Sequence, residues 1–249
     1  MIIIKNNKEI DLMRSAGKIV AETLLLIEEK VRPGITPAEL DSIAEEFITK
    51  HGARPSFKGL YGFPASLCIS VNEQVVHGIP GGYVLKDGDI VSVDCGANIN
   101  GFHGDAARTF GVGNITKEAE KLINVTRESF FKGIEYAKVG NRLTDISHEI
   151  QNCVEAAGFS VVRDFVGHGI GRVVHEDPDI PNYGPPGRGP KLVEGMALAI
   201  EPMVNAGNYK VKTLSNDWTV VTSDGSLSAH YENTIVILPD GPEILTLIR

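Results

Sequence analysis

Cysteine is scarce in this chain, with three among 249 residues. Cys68, Cys95 and Cys153 are odd in number and widely spaced, which excludes a disulfide framework and a thiolate zinc knuckle and fits a reducing compartment. Basic residues are in the minority: 24 Lys and Arg against 32 Asp and Glu, a formal net charge of −8. With no basic run and no basic–aromatic alternation, composition gives no support for a specific nucleic-acid partner. No apolar stretch approaches the roughly 20 residues needed to span a bilayer. The opening Met1-Ile2-Ile3-Ile4-Lys5-Asn6 lacks a signal-peptide layout. Linkers and low-complexity tracts are missing as well. These absences leave a cytoplasmic globular chain, in which 42% hydrophobic residues supply one large core or two half-sized units sharing it.

What is present is periodic. Ile10, Met13, Val20, Leu24 and Ile27 lie on one face of a helix predicted from Asn7 to Val31, which Pro33-Gly34 stops. A second helix opens on the capping box Thr36-Pro37-Ala38-Glu39, buries Leu40, Ala44 and Phe47, and ends at Gly52. Short β-rich runs follow: Leu67 to Val71, Ile90 to Asp94 and Arg108 to Val112. The order then recurs, with helices over Thr116 to Ile134 and Thr144 to Ala157 and strands including Met196 to Ile200 and Thr234 to Leu238.

Three echoes point to an internal duplication. Gly34 to Gly52 matches Gly140 to Gly158; Val75-Val76-His77 matches Val173-Val174-His175; Leu85-Lys86-Asp87-Gly88 matches Leu192-Val193-Glu194-Gly195. The offsets of 106, 98 and 107 residues differ by loop insertions. The expected architecture is α+β: one catalytic domain over 1–249, built of halves near 1–113 and 114–249. Each half is a helix pair plus antiparallel sheet, the two are related by a pseudo-twofold axis, and the chemistry lies between them.

Five residues have the chemistry of metal ligands: Asp94, Asp105, His168, Glu201 and Glu232. Each carboxylate alone leans toward a structural role. Asp94 resembles a strand-end turn former, and Glu201 and Glu232 adjoin apolar runs where an unpartnered charge is costly. Gly167-His168-Gly169-Ile170-Gly171 suggests close approach of backbone or substrate. Together, four carboxylates and an imidazole on a shared sheet face need cations among them. Two divalent ions balance four negative charges, and hard oxygen donors suit Mn, Fe(II) or Co. Two such ions about 3.5–4 Å apart can share a water and lower its pKa.

The segments Val75-Val76-His77-Gly78-Ile79-Pro80, Val93-Asp94-Cys95-Gly96, Gly101-Phe102-His103-Gly104-Asp105, Gly167-His168-Gly169-Ile170-Gly171, Val174-His175-Glu176-Asp177-Pro178, Ala199-Ile200-Glu201-Pro202-Met203 and Ser228-Ala229-His230-Tyr231-Glu232-Asn233-Thr234 carry a family likeness. Through them the chain resembles the type I methionine aminopeptidases, metallopeptidases of the pita-bread fold. The resemblance covers essentially the whole sequence.

The resemblance implies a hydrolase that excises N-terminal methionine from nascent polypeptides when the second residue is small, with two divalent ions per chain (Co, Mn, Fe(II) or Zn). It implies that Asp105 and Glu232 bridge the ions, that Asp94 holds one, and that His168 and Glu201 hold the other. Glu201 would also shuttle the proton of the bridging water. By the same resemblance His77 contacts the scissile amide nitrogen and His175 the peptide carbonyl. Phe57, Leu60, Phe63, Cys68, Val174 and Trp218 form the methionine pocket, with side chains that differ at several positions from the commoner Cys, Tyr and Phe. The expected protein is a monomer that can dock on ribosomes. A peptidase of the same fold acting before proline and a non-catalytic binding scaffold are the competing readings; the second is disfavoured because all five ligand positions are filled.

Overall fold

A computed structural model describes residues 1–248. Helix α1 (Asn7–Lys30) begins on a capping box: Asn6 Oδ1 accepts from Glu9 N at 3.1 Å, and the Glu9 carboxylate accepts from Asn6 N at 3.1 Å. Helix α2 (Pro37–Lys50) repeats the device, with Thr36 and Glu39 exchanging bonds of 2.8 and 3.2 Å. The predicted stripe of α1, from Ile10 to Ile27, is buried throughout. Of the α2 stripe, Leu40 and Ala44 are buried, whereas Ile48 fills the place expected for Phe47. Helices α3 (Lys117–Ile134) and α4 (Leu143–Ala156) pack on each other further along the chain. Among the described residues, no helix is long and apolar enough to cross a membrane.

Two antiparallel sheets organise the core. In the first, strand Ile90–Ile99 is flanked by Leu67–Val71 and by Phe102–Gly111. Its apolar face meets α1 and α2 through Val20, Leu24, Leu40, Leu67, Val91 and Val93. In the second, the order runs through Gly241–Ile244, Asn233–Leu238, Ala197–Ile200, Gly167–Gly169 and Glu176–Ile180. There Phe130, Ile146 and Ile150 of α3 and α4 pack on Leu198, Ile200, Ile235 and Ile237. The two sheets are stitched by a reciprocal backbone pair: Glu232 N donates to Ala107 O at 3.0 Å, and Ala107 N to Glu232 O at 3.3 Å.

The echoed segments take matching backbone roles. Gly34 and Gly140 both have φ of +95°, a left-handed conformation that favours glycine. Gly34 N donates to Leu85 O at 2.8 Å and Leu85 N to Ile35 O at 2.9 Å. In the later half, Gly140 N donates to Leu192 O at 2.9 Å and Leu192 N to Asn141 O at 2.8 Å. The Val-Val-His echo diverges: His77 is left-handed, with φ of +57°, and half-buried, whereas His175 is exposed and has no left-handed backbone.

The strands Ile90–Ile99 and Phe102–Gly111 are longer than the sequence runs suggested, so Asp94 lies mid-strand rather than at a strand end. The continuation through Gly96 and Ala97 is possible because small residues there let other groups approach. A Cβ on Gly96 would stand 2.8 Å from Ser56 Cβ and 2.9 Å from the Phe57 ring.

Helix α1 approaches this sheet backbone to backbone. A Cβ on Gly104 would lie 2.8 Å from Gly17 N and 3.0 Å from Gly17 Cα, neither of which can swing aside. Gly104→Ala is therefore expected to destabilise the fold by about 1–3 kcal/mol, the usual cost of overpacking. Thermal unfolding measures it, and an unchanged melting temperature would contradict the close contact.

Candidate metal centre

Strand pairing fixes the first two carboxylates. Asp94 faces Ala107 across the ladder and Asp105 faces Gly96, so the two acids are diagonal neighbours on one sheet face. His168 comes from the second sheet, opposite Ala199, and Glu201 follows directly after strand Ala197–Ile200. Glu232 sits at the stitch between the sheets. The cluster thus straddles two sheets that meet rather than occupying a single sheet face. The glycines around His168 have a packing cause: a Cβ on Gly167 would be 2.4 Å from Ala199 O, and one on Gly169 would be 2.1 Å from Asp177 O. Neighbouring strands, rather than substrate, claim that space.

The side chains converge closely. His168 Nε2 lies 3.5 Å from Glu201 Oε1 and 3.9 Å from Asp105 Oδ2. Its Nδ1 is 2.8 Å from Gly169 O, so the N–H donates there and the Nε2 lone pair faces the acids. His230, given no role from sequence, completes the ring. Its Nε2 is 3.6 Å from Glu201 Oε2 and 4.0 Å from Glu232 Oε2. Two overlapping donor sets result, Asp105–His168–Glu232 and Glu201–His230–Glu232, each with its ligand atoms within 4.8 Å of one another. Asp94 belongs to neither trio but lines the same cleft.

Asp94 Oδ1, Asp105 Oδ1, Glu232 Oε1 and His230 Nε2 are buried without a hydrogen-bond partner. Orphaned polar atoms are costly, and three oxygens with one imidazole nitrogen form a donor set suited to a divalent cation. The electrostatics agree. Burial raises Asp94 to about 7 and Glu201 to about 8. Asp105 and Glu232 are pushed well above the carboxylate range, by burial first and then by their acidic neighbours. Burial lowers His77, His168 and His230 to about 4 and also lowers His175. Without cations the acids hold protons; the imidazoles are neutral and free to ligate.

Asp94, Asp105, His168, Glu201 and Glu232 line a cleft of about 510 Å³ together with His77 and His175. The His175 ring meets His168 edge-on at 4.5 Å, and His77 meets Phe165 at 5.5 Å. An apolar cluster adjoins them: Phe57, Phe63, Cys68 and Val174 are buried, with Leu60 and Trp218 packed against them. Phe63 and Trp218 make an edge-to-face contact at 5.0 Å. All six predicted pocket residues are brought together, although Val174 sits in the apolar cluster without lining the cleft.

The profile of Metallopeptidase family M24 matches residues 11–239. The chain belongs to that family. This M24 chain is 78% identical to a methionine aminopeptidase of Clostridium perfringens, with all of both chains covered. It is 58% identical to methionine aminopeptidase 1 of Bacillus subtilis, again with full coverage of both. A crystal structure of methionine aminopeptidase from Thermotoga maritima superposes with a TM-score of 0.98 at 49% identity, covering all of both chains. The M24 chain is accordingly a metallopeptidase of the pita-bread fold, and its acid–histidine cluster has the donor chemistry to hold a divalent metal.

His230 carried one readable signal. It stands two residues before Glu232, and in extended backbone such residues share a face.

The pKa shifts set a pH dependence for metal-free protein. Asp94 and Glu201, raised to about 7 and about 8, contribute stability that is fully present below the ordinary carboxylate range and lost as pH rises through those values. Histidines lowered from 6.5 to about 4 contribute stability present above 6.5 and lost as pH falls toward 4. Between pH 6.5 and 8 the raised acids act alone, so the melting temperature of chelator-treated protein should fall across that window. Saturating Mn should flatten the fall. A level profile for the metal-free protein would contradict the assignment.

Proposed function

We propose that the chain hydrolyses N-terminal methionine from polypeptides with a small second residue, using two divalent ions held by Asp94, Asp105, His168, Glu201 and Glu232. Its methionine aminopeptidase activity rests on full-length identity to enzymes of that name. The observation carrying the site assignment is the set of orphaned, buried carboxylate oxygens beside a closed apolar cluster. Asp105 and Glu232 would serve both ions, Asp94 would hold one, and His168 and Glu201 would hold the other. His230, whose Nε2 faces both Glu201 and Glu232, supports the acids from the side.

The ions, when bound, supply Lewis acidity and a water of lowered pKa. The chain's own residues do the rest. Phe57, Leu60, Phe63, Cys68 and Trp218, backed by Val174, receive the methionine side chain, whose unbranched, polarisable thioether suits contact with aromatic rings. His77 orients the scissile amide nitrogen. His175 donates to the peptide carbonyl as negative charge develops there. Glu201 takes a proton from the attacking water at a carboxylate oxygen and returns it to the leaving amine.

The metals are drawn from Mn, Fe(II), Co and Zn. The reading extends to a single catalytic domain over 1–249, halves near 1–113 and 114–249, and a cytoplasmic monomer meeting nascent chains near the ribosome.

Reconstituting metal-free protein with each metal and assaying Met-Ala- and Met-Lys-starting peptides tests the substrate choice. Met-Ala- peptides should be cleaved much faster; equal rates contradict the small-second-residue rule. His77→Ala and His175→Ala should each lower kcat on the order of 10²–10³-fold with metal content unchanged, as for removal of one positioned donor or acid–base group. A fall in melting temperature with kcat preserved would instead make them structural.

A further inference from the structure

A buried ion pair adjoins His175 in the chain. Lys5 Nζ donates to Glu176 Oε2 at 2.5 Å, with the two side chains 2% and 3% exposed. Lys5 Nζ also donates to Ile3 O at 2.9 Å. The other Glu176 oxygen accepts from Arg172 N at 2.8 Å, closing the turn that carries Val174 and His175. Gly171 lies so close to the pair that a Cβ there would meet Lys5 Cε at 2.5 Å and Glu176 Oε1 at 2.7 Å. The lysine backbone is anchored elsewhere: Lys5 N donates to Gly195 O at 2.8 Å, and Ile4 bridges Met196, just before the strand leading into Glu201.

Stability alone is a weak reason for this arrangement. Two desolvated charges regain little over an apolar pair of similar volume, and such pairs are better explained where they fix registration. Here the pair joins two functional elements. One end grips the turn carrying His175, which is exposed and touches the rings of His168 and Tyr61. The other is tied to the root of the strand that presents Glu201.

We propose that Lys5 and Glu176 are positioning residues, whose ion pair fixes the Arg172–His175 turn against the strand entering Glu201 and so places the His175 imidazole at the scissile carbonyl. This rests on the role of His175 given above.

The test is a double-mutant cycle in the metal-loaded protein, measuring kcat, KM, metal content and melting temperature on a Met-Ala-starting tripeptide. Lys5→Met should lower kcat on the order of 10–100-fold, the effect of displacing a reacting group slightly, with KM and metal content near wild type. In a His175→Ala background, Lys5→Met should cost no further rate. Equal losses in both backgrounds overturn the proposal. Because Lys5→Met leaves Glu176 buried and unpaired, Lys5→Met/Glu176→Leu removes both charges together. Its melting temperature should recover while kcat stays low, and recovery of both overturns the positioning role. A wild-type rate for His175→Ala alone would sink the reading of His175 itself, an outcome distinct from failure of the ion pair alone.

Discussion

Four carboxylates forced together out of water are the constraint on which this structure turns. Each is pushed toward its protonated form by burial, and the acids reinforce one another. Such a group is tolerable when protonated or when cations share it, and the neutral imidazoles beside it favour the second arrangement. The cleft, the apolar cluster and the two helix pairs can be understood as the frame that keeps these acids close.

That frame is anchored behind the acids as well as in front. Arg108 donates to Glu232 O at 2.5 Å and to Asn233 Oδ1 at 2.6 Å, while its guanidinium lies 4.3 Å from the Tyr231 ring centre. Thr109 and His230 clasp each other through the threonine hydroxyl, at 2.9 Å in both directions. The residues bracketing Glu232 are therefore held by bonds from the first sheet, which orients the carboxylate without using its oxygens.

Much of this was readable in the residues. The helices followed from apolar periodicity, and the α2 start from Thr36 and Glu39, because both signals are local. The glycine and leucine echoes preceded a recurring backbone bond pattern, since a left-handed position constrains residue type directly. The five acid and histidine positions had the right chemistry, but their gathering into one cleft is a matter of strand register across long separations. Asp94 looked like a turn former because its apolar run ends there, whereas the strand continues through residues chosen for smallness. His230 went unassigned because a lone histidine in a strand is ordinarily a packed core residue.

The stitch between Ala107 and Glu232 has a bearing on how the protein comes into being. The acids of the cleft are spread from Asp94 to Glu232, and Thr246 Oγ1 braces Asn233 from still further along at 3.0 Å. A chain emerging from the ribosome makes its early helix pair and first sheet well before the strands that carry Glu201 and Glu232. During that interval Asp94 and Asp105 stand as an unfinished half-site. Closure of the acid cluster thus becomes a late event of biosynthesis, and a truncated product is left with half of it.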